Sequence, residues 1–404
     1  MTFTEHVNKN KLNIKKYGKM KFVISSTELL SHLQLIGRVI SQKNTLPILE
    51  NFLFELSGNE LKITASDLET TLITYINLEN VTDEGKVAVP ARILMDILKE
   101  FPEQPLTFDV DPETLGIVLN SENGVYNING QSAEDFPQIP QIKNEEESNY
   151  QISSEALLKG ISKTIFATAE DELRPVMNGI YVELASENVT FVATDAHKLV
   201  RYRRNDVKPE QESSFIFPKK PASLLKNILV KEDSQVDVKF DDKNVEFTLP
   251  KYQMISRLTE GNYPSYNSVI PSENPFQLTI DRLNFYNTIK RVSVFSNQAS
   301  NLIKLSLKGN QLTVSAQDID FSISGHETLN CQYEGDDMNI GFKSSFLLEI
   351  LSNLNSSEVM MFLSDPSRAG LFYPASKENE DEDVLMLLMP MMVDSDNESE
   401  ETQE

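Results

Sequence analysis

Asp195 and His197 stand two positions apart in "TDAHK", and a carboxylate beside an imidazole is the pairing from which a general base is built. Such a dyad needs both side chains within hydrogen-bond reach in a cleft, and an i, i+2 pair meets that need only on a regular strand. The same aspartate recurs without a histidine: Asp67 in "LKITASDLETTLI" and Asp318 in "LTVSAQDIDFSI" match Asp195 in "VTFVATDAHKLV". An aspartate held at one position of a repeat, between two strand-like segments, reads better as a turn-former bonding to backbone than as a catalyst. The four histidines, His6, His32, His197 and His326, have no metal-ligand spacing to one another or to the single cysteine, Cys331. No metal, no cofactor and no catalytic residue are therefore expected.

Three copies of one unit account for the aspartates, which fall 128 and then 123 residues apart. A helix-like segment opens each copy: "SSTELLSHLQLIGRVI" from Ser25, "SSEALLKGISKTIFAT" from Ser153 and "DRLNFYNTIKRVSVF" from Asp281. Ser or Asp stands as N-cap, with leucines near helical spacing behind it. A second segment follows, "VPARILMDILKE" from Val89, "FPKKPASLLKNILV" from Phe217 and "FKSSFLLEILSNL" from Phe342, in which Ile97-Leu98, Ile228-Leu229 and Ile350-Leu351 align. Alternating stretches such as "VEFTLP", "LTFDV" and "IKLSL" predict antiparallel strands. The fold class is α+β, each repeat with two helices and several hairpins.

Aromatic-proline signatures close the first two repeats, at Phe136-Pro137 and Tyr263-Pro264, which puts the domains at 20–145, 146–271 and 272–393. Residues 1–19, rich in Lys and Asn with no apolar period, are expected to be a disordered extension, with Met20 as the expected start. Residues 394–404, "DSDNESEETQE", are expected to be a disordered acidic tail. No apolar run resembles a signal peptide or membrane span, and one cysteine rules out an intrachain disulfide, so a cytoplasmic protein without a membrane partner is expected.

The net charge of −24 argues against a polyanion partner until it is resolved along the chain. The six helix segments carry twelve Lys or Arg against six Asp or Glu, so the acidic surplus lies elsewhere. A basic surface for nucleic acid and Lys-rich helices kept for solubility both fit that pattern. Geometry constrains the first reading. Six helices side by side at roughly 8 to 10 Å close a circle about 19 Å across, which after about 10 Å of helix thickness cannot admit a duplex about 20 Å wide. Twelve helices leave about 28 Å, so a ring around DNA takes two chains.

Stretches in all three repeats resemble the bacterial replicative sliding clamp, the β subunit of DNA polymerase III. They are "TLPILEN" from Thr45, "VPAR" from Val89, "EDFP" from Glu134, "MNGI" from Met177, "ATDAHKL" from Ala193, "NYPSY" from Asn262 and "LMPMM" from Leu388, in the family's order between Met20 and Val393. The resemblance implies three clamp-type domains per chain and a head-to-tail homodimer that closes a six-domain ring, helices toward the hole. It implies a DNA-replication processivity factor that encircles double-stranded DNA without sequence preference, tethers the polymerase and catalyses nothing.

It also implies a pocket between the second and third domains for a short partner peptide with a Gln and apolar anchors. The matching positions are Met177, Thr194, His197, Leu199, Pro264, Val269, Leu387, Met389, Pro390 and Met391, with Arg174 and Lys198 on the rim. Implied partners are the replicative polymerase, the clamp loader, repair polymerases, mismatch repair proteins and ligase. For DNA the matching basic positions are Lys43 and Arg92, with Lys219 and Lys220 next, in loose phosphate contacts that permit sliding. Val294 and Phe295 in "SVFSN" match the dimer contact.

By composition alone, the Met-rich C-terminal segment suits a surface that accepts several ligands or a plain core strand, and the Val-Phe pair suits an interface or a core. Departures from the family stand at Ala196, where many members have Gly, at Lys198, which replaces Arg, and at Met392-Val393. Pro175 and Val176 occupy positions where some relatives carry DNA-touching tyrosines. The rival reading is a repeat scaffold that binds protein partners only, which retention on DNA separates from a clamp.

Overall fold

The computed structural model describes residues 19–41, 46–142 and 148–393. Lys43, residues 1–18 of the expected extension and the tail 394–404 lie outside the described residues.

Helices form where the sequence predicts them: α1 (Ser26–Ile36), α2 (Ala91–Glu100), α3 (Ser154–Thr164), α4 (Lys219–Leu229), α5 (Arg282–Val292) and α6 (Ser344–Asn353). The first helix of each repeat starts on the expected cap, with Ser25 accepting from the Glu28 N–H, Ser153 from Ala156 and Asp281 from Asn284. Such caps contribute about 1 kcal/mol each by satisfying an N–H that the helix leaves open. The two helices of a repeat pack together, burying Leu98, Ile228, Leu229, Ile350 and Leu351 at roughly 1.5–3 kcal/mol apiece.

The chain divides into two compact units. The first holds residues 19–141 and Leu249–Ile255. One sheet runs Met20–Ser25, Pro105–Val110, Gly116–Asn120 and Val125–Asn129, and a second contains Gly85–Pro90, Asn51–Ser57, Glu60–Ser66 and Thr70–Asn77. Phe22 stacks on Phe108 with ring centroids 4.8 Å apart at the core. His32 of α1 is buried in the same unit, its Nδ1 2.6 Å from Thr74 Oγ1 and its ring stacked on Tyr252. Burial, and secondarily Lys251, push its pKa down to about 4.

The second unit holds both remaining repeats. Its nine-stranded antiparallel sheet runs Ser213–Pro218, Gly179–Ala185, Asn188–Thr194, Lys198–Arg204, Glu382–Leu388, Gly370–Pro374, Glu358–Leu363, Phe276–Asp281 and Gln332–Glu334. Lys198–Arg204 from the second repeat pairs with Glu382–Leu388 from the third, so backbone hydrogen bonding continues between the repeats. Lys159 of α3 reinforces the junction with an ion pair to the buried Glu382 at 2.8 Å. The unit also holds the strands Ser148–Ser153, Gln235–Phe240 and Asn244–Thr248, and a four-stranded sheet, Ile323–Asn330, Gln311–Asp318, Leu302–Lys308 and Met338–Lys343, with Ile323–Asn330 at its edge.

The repeated aspartates all build turns. Asp67 Oδ1 accepts from the Glu69 and Thr70 N–H groups, Asp195 Oδ1 from His197 and Lys198, and Asp318 Oδ1 from Asp320 and Phe321.

Candidate functional site

The second of these turns leads into Lys198–Arg204, and the strand Glu382–Leu388 ends beside it. Register sets Leu199 opposite Leu387, each 2% exposed, within an apolar cluster that includes Val192, Tyr266, Leu371 and Leu385. Where the last strand ends, the Met389 N–H donates to the His197 carbonyl at 2.8 Å and ties the C-terminal segment to the turn. Thr194 Oγ1 closes the turn by donating to the Lys198 carbonyl at 2.8 Å and accepting from the Ala196 N–H. Ala196 adopts φ 74°, a left-handed conformation that costs a residue with a Cβ about 1–2 kcal/mol.

Apolar groups stay exposed around this floor. Met389 is 42% and Val269 54% exposed, Pro264 is exposed, and Pro390 and Met391 are half-buried. Val269 ends a short 3-10 turn, Tyr266–Val269, anchored by Tyr266, whose hydroxyl donates to Glu183 at 2.5 Å. Burial, then that carboxylate, push the Tyr266 hydroxyl up to about 12. Arg174 and the buried Met177 lie on the loop leading into Gly179–Ala185 of the same sheet, with Arg174 Nε 2.8 Å from Asp171 Oδ2.

Lys198 is not on the rim. Its side chain is buried, with Nζ 2.7 Å from Asp195 Oδ2, 3.0 Å from Glu349 Oε2 and 4.2 Å from the Phe346 ring centre. An ammonium held between two carboxylates and an aromatic face is committed inside the molecule. The His197 ring is stacked on Phe346 at 5.8 Å, and Asp195 takes the His197 backbone N–H instead. That is turn geometry, without a catalytic dyad.

Arg92 projects from α2 as an exposed cation, and Lys220 is exposed at the start of α4. Lys219 pairs with the exposed Glu170 at 2.8 Å, a contact weak enough to exchange. Counting helix charges overstates the basic surface, because several are drawn inward or paired with a carboxylate at the surface. Lys159 binds Glu382, Lys163 donates to the Asn353 carbonyl, Arg282 to the Ser356 and Leu351 carbonyls, and Arg291 pairs with Glu327.

Val294 is 72% and Phe295 37% exposed, with the Phe295 ring laid over Gly325, where any Cβ would collide with it. Ile319 and Phe321, at 78% and 74%, widen this apolar patch beside the edge strand Ile323–Asn330, and the sequence reading missed them. The signal was present in "DIDFSI", where apolar residues follow the Asp318 turn directly. Among the described residues no cluster of His, Cys, Asp and Glu could hold a metal, and no helix is long and apolar enough to cross a membrane.

Three repeats, with an apolar floor shared by the second and third, define a clamp-type protein, and comparison with known proteins agrees. The DNA polymerase III beta subunit models match in order: the N-terminal domain over residues 20–140, the central domain over 151–265 and the C-terminal domain over 267–392. The chain belongs to this family. The beta sliding clamp of Pseudomonas aeruginosa is 29% identical over 92% of this chain and 100% of its own, and that of Bacillus subtilis 26% over 92% and 99%. A crystal structure of the Pseudomonas aeruginosa sliding clamp bound to griselimycin superposes with TM-score 0.88 at 28% identity, covering 93% of this chain and 100% of that one. The function is that of a sliding clamp in DNA replication, a processivity factor and not an enzyme.

Proposed function

We propose that two copies close head to tail into a ring around duplex DNA and carry partner proteins on the pocket built over Leu199 and Leu387. The observation that carries this reading is the in-register Leu199–Leu387 floor bordered by the exposed Met389 and Val269. Its occupant is a short peptide with a Gln and apolar anchors, supplied by the replicative polymerase, clamp loader, repair polymerases, mismatch repair proteins or ligase. Thr194, His197, Pro264, Pro390 and Met391 line the pocket, and Met177 and Arg174 border it. Burying two anchors at about 1.5–3 kcal/mol each, less the cost of ordering, sets affinity near the micromolar scale of about −8 kcal/mol once hydrogen bonds contribute.

Val294 and Phe295, joined by Ile319 and Phe321, form one half of the dimer contact. The exposed edge strand Val125–Asn129, with Val125 62% exposed, offers the other half from the partner copy. Lys43, Arg92, Lys219 and Lys220 contact phosphates. The domains are assigned to 20–145, 146–271 and 272–393, and the protein to the cytoplasm.

The test is retention on nicked circular DNA. A closed ring has no route off a circle, so linearisation releases the protein quickly while salt releases it slowly from the intact circle. Equal loss from circular and linear DNA reduces the protein to an electrostatic binder, and no retention on either favours a scaffold for proteins alone.

A further inference from the structure

A separate cavity lies at the other end of the strand Glu382–Leu388 from the peptide floor. Val384 stands five residues before Met389, which at about 3.3 Å per residue puts the two about 17 Å apart along the strand. There Leu354, Met360, Tyr373 and Val384 of the third repeat wall a cavity of about 140 Å³, and Lys163 of α3, from the second repeat, completes it. Three carboxylates also line this cavity, and each already has a cation: Glu382 has Lys159 at 2.8 Å, Glu378 has Lys159 at 3.5 Å, and Asp383 has Arg201 at 2.9 Å. The two lining cations are not so matched. Lys163 Nζ donates to the Asn353 carbonyl at 2.7 Å, a neutral acceptor that takes one of its three protons, and among the described residues neither Lys163 nor the exposed Lys377 pairs with a carboxylate. Burial holds the Lys163 ammonium below the ordinary lysine value, against the pull of Glu378 and Glu382. A half-buried cation with spare donors beside an apolar wall complements a small anion with a short hydrocarbon body.

We infer that this cavity binds a short-chain aliphatic monocarboxylate, its carboxylate on Lys163 with Lys377 at the mouth, and its chain against Met360, Tyr373 and Val384. Size supports the assignment, because an apolar protein cavity of about 150 Å³ takes up benzene, so about six non-hydrogen atoms fill this one, as many as butyrate has. The arriving carboxylate gives Lys163 the counter-charge that the Asn353 carbonyl does not supply. Lys163 belongs to the second repeat and the rest of the wall to the third, so the ligand bridges the two and stabilises their junction in proportion to its occupancy. The inference depends on neither the ring nor the peptide pocket.

The experiment follows isotope-labelled methionine methyls of the full chain by NMR while sodium butyrate is added against sodium chloride of equal ionic strength, with signals assigned from Met360→Leu and Met389→Leu spectra. The Met360 methyl moves saturably, half-way at a roughly millimolar concentration, an affinity within reach of so small a ligand, while the Met389 methyl stays in place. Butylammonium chloride, the same chain with the opposite charge, gives no saturable shift. Lys163→Gln keeps a donor for the Asn353 carbonyl and loses the charge, so it raises the half-saturation concentration about tenfold. If Lys163→Gln fails to fold, the contrast between butyrate and butylammonium on the wild type carries the test. A Met360 methyl that does not saturate, that answers both ions equally, or that moves only together with Met389 overturns the inference, as does an unchanged half-saturation in Lys163→Gln.

Discussion

Leu199 and Leu387 lie opposite each other in the strand pair that joins the second repeat to the third. Neither repeat alone can form this floor, so the site belongs to the junction of the two.

Met389→Asp places a charge where an apolar anchor would be buried. Because Met389 is 42% exposed, stability should change little, whereas peptide affinity should fall by tenfold or more, the loss of about 1.4 kcal/mol or greater. Anisotropy titration beside a melting curve separates the two effects.

Light scattering at micromolar concentration should give twice the chain mass for the wild type. Val294→Asp with Phe295→Asp should give the single-chain mass, and Phe321→Asp alone should weaken the dimer, since its side chain is 74% exposed on the same patch. A wild type at single-chain mass would remove the ring.

Arg92 and Lys219 should differ in their effect on DNA. Arg92→Ala should lower the slope of log affinity against log salt on a duplex by about 0.9, the value for one lost phosphate contact. Lys219 must first leave Glu170, so Lys219→Ala should lower it less. Equal slopes for both variants would mean the ion pair does not compete with DNA.

His32 sets a pH dependence. Its folded pKa is about 4 against an ordinary 6.5, so the unfolded chain takes up the proton first as pH falls. The stability owed to the neutral ring is complete above about 6.5 and declines between 6.5 and 4, by up to about 3 kcal/mol. His32→Gln should flatten that part of the profile, read as the difference between urea midpoints of the two proteins at about pH 7 and about pH 5.

Most of the fold was legible because its signals are local. Ser25, Ser153 and Asp281 announce helices through short-range capping, and Asp67, Asp195 and Asp318 announce turns through bonds to their own neighbours. Lys198 was misplaced because its partner Glu349 lies 151 positions away, and nothing in "TDAHK" tells whether an ammonium turns outward or down. The helix cations failed as a count for the same reason, since Lys159 meets Glu382 only once the third repeat has folded against α3.

The continuous nine-stranded sheet bears on mechanics. A partner gripped at Met389 pulls on the end of Glu382–Leu388, a strand flanked on both sides by Lys198–Arg204 and Gly370–Pro374. Tension along that strand loads two rows of hydrogen bonds in shear, all at once, instead of peeling them singly. In the proposed ring, a motor that drags the protein along DNA through this site hauls on a strand held along both edges.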